Sequence, residues 1–302
     1  MRKVIAIGEA GFDIVFDAAK PVAAYPGGRI LNAAASLARA GVPTSFVGEC
    51  GADYFGDLIA AHLQECGVDI RPLDRFTEGT TAITTITPSG HIAYGTYPDD
   101  RFDVVWPRID ENDILLFGSH IAVEADVRTR LFEIVRYAKE RKAIIAYLPG
   151  FAIDKSFRAT RILTALLENL EIADLVITCA ADIEALFETA DDAEAYREHI
   201  GYYCPNYVHA DASRAIRVHQ PSGCTAIAAA AAQPASPLGW IAGLVAGTIA
   251  GLIAADVTAA TVGSITAEQL KVITDHATRF AASAGSSAAN VIDRSISINP
   301  LS

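Results

Sequence analysis

A doubly wound α/β fold is predicted for this chain by three features. Short apolar runs recur along it, amphipathic stretches separate them, and glycine or proline marks most junctions. Val4 to Ile7, Thr44 to Gly48, Ile114 to Gly118, Ala143 to Tyr147, Leu175 to Thr178 and Tyr207 to Ala210 have the length and character of buried strands. Helical periodicity fills 30–40, 54–66, 126–141, 157–170 and 182–187. Such alternation gives a mostly parallel sheet with helices on both faces. With 302 residues, 51% of them hydrophobic, one domain spanning 1–302 can bury a large core. There is no internal repeat.

Taken in order, the first strand ends at Gly8, and residues 12–25 then alternate like an exposed strand pair. Pro26-Gly27-Gly28 is a turn feeding an amphipathic helix that stops at Gly41. A strand end and a glycine-punctuated loop, Val47 to Gly56, lead into the second helix. Residues 80–97 alternate again, around a turn at Pro88-Ser89-Gly90. The alanine-rich run Ala226 to Gln233 reads as an irregular connection.

From Gln220 to Ala255 no side chain is charged, and Gly239, Gly243, Gly247 and Gly251 recur at every fourth position. That repeat suits either a membrane helix pair or a helix packed closely inside a water-exposed domain. Pro237 and the Ala, Gly and Thr content favour the second, since a span needs about 20 strongly apolar residues.

Composition excludes several classes of function. With 24 basic against 36 acidic residues, the net charge of −12 argues against nonspecific nucleic-acid binding, which needs a basic face. Five cysteines lack CxxC spacing and read as reduced thiols, and the opening apolar run is too short for a signal peptide, so a cytoplasmic location is expected. Seven histidines show no metal-ligand spacing. His120, just past a strand end, is the one positioned to face a ligand crevice, although a lone histidine there is more often structural.

The stretch Pro26-Gly27-Gly28-Arg29-Ile30-Leu31-Asn32 through Gly41-Val42, with Gly51 and Asp53 at their separations, resembles the N-terminal motif of the ribokinase-like (PfkB) carbohydrate kinases. The resemblance runs across nearly the whole chain and is closest to fructokinase-like members. It implies a ribokinase-like fold in which 12–25 and 80–97 form a small β lid, a surface through which family members often dimerise. Ile30 departs from the motif, standing where a small residue is usual. The resemblance assigns sugar contact to Asp13, Gly27, Gly28 and Asn32. On the residues alone, Asp13 could equally be a solvated lid carboxylate and Asn32 a helix-start residue.

The phosphoryl-transfer half of the resemblance is degraded. Family members carry a Gly-Ala-Gly-Asp loop opening a helix, whose N–H groups cradle developing charge and whose aspartate is the base. Here Gly239, Trp240 and Ile241 fall on that loop and Ala242 on the base; a one-gap shift would put Leu238 there instead. Alanine and leucine accept no proton. Three other nucleotide-side loops are altered as well. Leu148-Pro149-Gly150-Phe151-Ala152 replaces an Asp-x-Asn-x-Arg pattern, and Cys179-Ala180-Ala181-Asp182 replaces Asn-x-x-Glu, keeping one acid as a weak metal candidate. Asp211-Ala212-Ser213-Arg214 stands where a Gly-x-x-Gly turn lies near the nucleotide. Asp256 lies roughly 20 Å along a helix from Ala242, too far to substitute.

The expectation is therefore a degenerate carbohydrate-kinase homologue that binds a sugar or a partner chain. It would need no cofactor, nucleic acid or membrane, and could form a homodimer through the lid. The alternatives are an active fructokinase-like enzyme using Mg-ATP with its base elsewhere, and a structural protein whose pocket is filled by Ile30 and Trp240.

Overall fold

The computed structural model describes residues 2–75, 80–87, 90–94, 102, 104–150, 159–228 and 236–298. In chain order the elements are β1 (Val4–Ile7), β2 (Gly11–Asp17), β3 (Lys20–Gly27), α1 (Arg29–Arg39), β4 (Thr44–Glu49), α2 (Tyr54–Cys66), β5 (Leu73–Asp74), β6 (Ala82–Thr87), β7 (Gly90–Tyr94) and β8 (Ile114–Gly118). They continue with α3 (Ala125–Glu140), β9 (Ile144–Leu148), α4 (Ala159–Ile172), β10 (Leu175–Cys179), α5 (Ala180–Phe187), α6 (Asp192–Ala195), β11 (Tyr207–Ala210), β12 (Ile216–Gln220), β13 (Gly223–Ile227), α7 (Pro237–Ala254) and α8 (Ala267–Gly285).

Nine strands form the central sheet in the order β13-β12-β11-β10-β9-β8-β1-β4-β5. Pairing is parallel from β11 through β5, and β12 and β13 add an antiparallel hairpin at one edge. The doubly wound α/β fold expected from the sequence is the fold observed. Its strands read as continuous apolar runs because both faces are covered. Val4, Ala6, Ile114 and Leu116 face one core, packed under α1, α2, α7 and α8. Ile5, Ile7, Leu115 and Phe117 face a second, which α3 and α4 help close.

The two alternating segments form a separate four-stranded sheet, ordered β3-β2-β6-β7. Gly11 to Gly27 is a hairpin, and β2 pairs in parallel with β6. The expected turn residues 88–89 and the tail 95–97 lie outside the described residues.

The glycine repeat is explained by packing of α7 against α8. A Cβ placed on Gly243 would sit 2.4 Å from the Phe280 carbonyl oxygen, and one on Gly247 would sit 2.5 Å from that of His276. The two helices approach backbone to backbone, which glycine alone permits at these positions. Among the described residues α7 is the one helix long and apolar enough to cross a membrane, and 72% of it is buried inside the fold. Its apolar surface is thus consumed by α8, α1 and the sheet.

Gly243→Ala puts these two tendencies in opposition. Alanine gains about 1 kcal/mol in an open helix, whereas here the helices must separate, and overpacking of that kind costs roughly 1–3 kcal/mol. Urea unfolding is expected to show a net loss of stability, where an exposed helix would show a gain.

Candidate functional site

Ligands of open α/β sheets bind beyond the carboxyl ends of the strands, where strand order reverses. Here that point is β1, flanked by β8 and β4. Glu9 follows β1, Ser119 and His120 follow β8, Gly150 lies two residues past β9, and Asp182 sits in the first turn of α5 after β10.

Into this crevice the first residue of α1 sends a buried cation. Arg29 Nη1 donates to Asp182 Oδ1 at 2.9 Å and to Oδ2 at 3.1 Å. The arginine side chain is 10% exposed and the aspartate is wholly buried. Asp182 Oδ2 also accepts from the Cys179 amide at 2.8 Å, closing a capping box on α5. Burial opposes the charge on Arg29, but the Asp182 carboxylate outweighs it and holds the guanidinium above its ordinary value. Burial, reinforced by Asp182, pushes the Cys179 thiol up to about 12. Gly150 leaves room for the arm, since a Cβ there would lie 3.3 Å from Ser119 Oγ and 3.4 Å from Arg29 Nη1.

Ser119 adopts φ 58°, ψ −163°, a region that non-glycine residues rarely occupy and that costs of order 1–3 kcal/mol. It is buried where β8 turns into the short 3-10 segment His120–Ala122. The Ile121 amide donates to Glu9 Oε1 at 3.2 Å, and burial raises the Glu9 carboxyl while His120 pulls it down. His120 itself is half-exposed beside Glu124 at 3.4 Å.

At the lid end, Asp13 on β2 is 7% exposed and thus no solvated carboxylate. Burial pushes it up to about 7, against a hydrogen bond from Thr84 on β6. Gly27 lies directly beneath it: a Cβ there would be 2.3 Å from Asp13 Oδ1. Gly28 has φ 124°, and a Cβ on it would strike the Glu9 carbonyl oxygen at 2.6 Å. Asn32 is four residues past the Gly28 N-cap, so it is not a helix-start residue. It is buried, and its Oδ1 has no partner among the described residues. The departure at Ile30 is accommodated by Gly8, whose absent side chain leaves space for Ile30 against β1.

The segment expected to be a degenerate phosphate loop is helical instead. Gly239, Trp240, Ile241 and Ala242 belong to the first turns of α7, because Ser236 caps the helix and Pro237 is pre-set for its first turn. Ser236 Oγ accepts from the Gly239 amide at 3.0 Å, and the Trp240 amide donates to the Ser236 carbonyl at 3.0 Å. Proline has no amide, so the Leu238 N–H is the donor of that turn left uncommitted among the described residues. The turn contains no acid, and Ala242 is fully buried. Ser236 is held in turn by Asn290, whose Oδ1 accepts from its hydroxyl.

The remaining altered loops carry structural contacts. Asp211 accepts from Ser213 Oγ at 2.6 Å and the Ala215 amide at 3.0 Å, and pairs with Arg217 at 3.1 Å, fixing the β11–β12 turn. Asp256 pairs with Arg2 at 2.8 Å, ahead of β1 and away from the crevice. Phe151 and Ala152 lie outside the described residues. No cluster of three or more metal-ligating side chains occurs among the described residues. With Asp182 committed to Arg29 and to an amide, these residues do not fit a divalent cation.

Sequence reasoning missed Glu9, Arg29, Ser119, Ser236 and Asn290. Arg29 carried a readable signal. It is the one charged residue between Pro26 and Ala38, and it stands at a helix N-terminus, where a cation is unfavourable without a dedicated anion.

The buried Asp13 carboxyl makes stability depend on pH. Its folded value, about 7, lies above the unfolded value of 3.8, so the contribution of Asp13 itself is most favourable at low pH and is lost as pH rises towards and through 7. At 1.36 kcal/mol per unit the upper bound on that loss is roughly 4 kcal/mol. Asp13→Asn is expected to flatten this slope and to be the more stable protein at pH 8, read by thermal unfolding across pH 4 to 8.

Residues 1–202 match the pfkB family of carbohydrate kinases. Fructokinase-1 of Oryza sativa subsp. japonica is 28% identical over 172 residues, covering 53% of each chain. Fructokinase-1 of Zea mays matches equally, at 28% over 172 residues and 53% of each. The chain spans about half the length of the curated relatives it matches. Among solved structures, fructokinase of Xylella fastidiosa with bound ATP superposes at a TM-score of 0.80, with 20% identity and 98% and 97% of the two chains covered. Fructokinase of Vibrio cholerae O395 gives 0.77, with 18% identity and 95% and 92% covered. The fold is therefore ribokinase-like, and the matched segment contains Asp13, the Gly27-Gly28 turn, Asn32 and Asp182, while α7 lies beyond it. On this match the chain belongs to the pfkB family of carbohydrate kinases.

Proposed function

We propose that this chain binds a sugar or a chemically related polyol in the crevice under the β lid and does not transfer phosphate to it efficiently. One observation carries the reading: the helix N-terminus that should cradle a phosphoryl group is capped by its own Ser236, holds no acid in its first turn and buries Ala242. Loss of a general base lowers rate by roughly 10²–10⁴, and loss of preorganised donors lowers it further. The hydroxyl-binding end is intact by contrast. Asp13 and the unpartnered Asn32 Oδ1 are buried acceptors of the kind that hydroxyl groups satisfy, and Gly27 and Gly28 let the backbone approach. The fructokinase of Vibrio cholerae was solved with fructose, ADP and calcium ion, which makes a ketohexose the first ligand to try.

The proposal includes a cytoplasmic location, no resident cofactor, and no nucleic-acid or membrane partner. The exposed strand β3 at the edge of the lid sheet is the surface through which a homodimer would form.

A second reading is favoured by Asp13 alone. A carboxyl near pH 7 is matched to general-base work, so the chain could be an active fructokinase-like enzyme using Mg-ATP with its base in the lid.

Two measurements separate these readings. Incubation with Mg-ATP and a panel of ketoses, aldoses and nucleosides is expected to yield no phosphorylated product above background. Turnover at ordinary enzymatic rates would establish the second reading, with Asp13 as its base if Asp13→Asn lowers kcat while the sugar still stabilises the variant. Thermal shift against the same panel is expected to reveal at least one sugar that stabilises the protein, by about 2.7 kcal/mol at 100 times its dissociation constant, and Asn32→Ala is expected to remove that shift.

A further inference from the structure

We infer that Arg29 is a resident cation of the crevice: its guanidinium takes the charge-neutralising place at Asp182 that a divalent metal would need, so ligands bind here without Mg²⁺. The family resemblance makes Asp182 the retained acid of a motif that supports a metal, and both of its oxygens are spoken for. Oδ1 accepts from Arg29 at 2.9 Å, and Oδ2 accepts from Arg29 at 3.1 Å and from the Cys179 amide at 2.8 Å. The carboxylate is wholly buried and the arginine nearly so, leaving no hydrated side from which a metal could approach. A dication entering beside that guanidinium would be repelled at short range in a poorly screened interior.

The arm is built in rather than incidental. Arg29 opens α1 at the positive end of the helix dipole, where a cation is disfavoured, and it is balanced by Asp182 from a distant segment. Gly150 supplies the room through which the guanidinium passes. A buried pair of this kind contributes little net stability when both partners are present, yet removing one leaves an uncompensated buried charge.

The inference concerns the same crevice as the proposed function but fails separately from it. The intact protein is titrated with MnCl₂, followed by electron paramagnetic resonance of free Mn²⁺, and its Tm is compared in MgCl₂ and in EDTA. No saturable binding into the low millimolar range and an unchanged Tm are expected. Saturable submillimolar binding that Asp182→Asn abolishes would overturn the inference while leaving absence of turnover untouched, and turnover in the assay above would overturn the proposed function alone. Arg29→Met is expected to lower Tm by several degrees, and Arg29→Met/Asp182→Asn to be no worse than the more damaged single variant. Additive losses would contradict the pair. If Arg29→Met does not fold, the Mn²⁺ titration of the intact protein still decides.

Discussion

The buried ion pair between Arg29 and Asp182 sets the character of everything around it. It joins the start of α1 to the start of α5 across the carboxyl ends of the central strands, where the fold would receive a ligand. Because Asp182 also caps α5 through the Cys179 amide, one carboxylate both terminates a helix and neutralises a cation. Neither duty leaves it free for a metal. Gly150 lies beside the arginine, with a Cβ there falling 3.4 Å from Arg29 Nη1, and the strained Ser119 closes the end of β8 next to it.

The other end of the crevice has been converted in a parallel way. A helix N-terminus is an anion site only while its amides are uncommitted. In α7 a serine cap, a proline and a first-turn hydrogen bond use up most of that capacity, and Asn290 holds the cap in place. The helix is then pinned along its length by the glycine contacts with α8, so its first turn is not easily rearranged to admit a phosphate. On the proposed reading, internal contacts occupy both places where phosphate chemistry would occur, while buried Asp13 and Asn32 remain for hydroxyl groups.

Much of this architecture was legible in the sequence because strands buried on both faces are nearly pure apolar runs. Ile114 to Gly118 and Leu175 to Thr178 needed no further context. The lid was legible as two segments that mix polar and apolar residues, which pair into one separate sheet. Less visible were β12 and β13, short edge strands in which Ile216 and Val218 mark the covered face among Arg217, His219 and Cys224, and α8. The glycine repeat could be read as membrane or core until its partner helix was known. At the site, Asp13 and Asn32 stood out through their motif, but the burial that takes Asp13 out of solvent is a tertiary fact, and the place of Asn32 a turn inside α1 depends on Gly28 starting the helix. Arg29 pairs with a residue 153 positions away, a distance at which no local pattern speaks. Gly239 to Ala242 resemble a loop by their spacing, yet Ser236 and Pro237 already begin the helix ahead of them.

Calorimetric titration of the purified protein with Mg-ATP tests the central claim most directly, because the capped α7 turn and the Arg29–Asp182 pair both bear on nucleotide and its metal. No saturable heat is expected. Micromolar binding would contradict it, since the amides and the carboxylate described here would then have to be available to phosphate and magnesium after all.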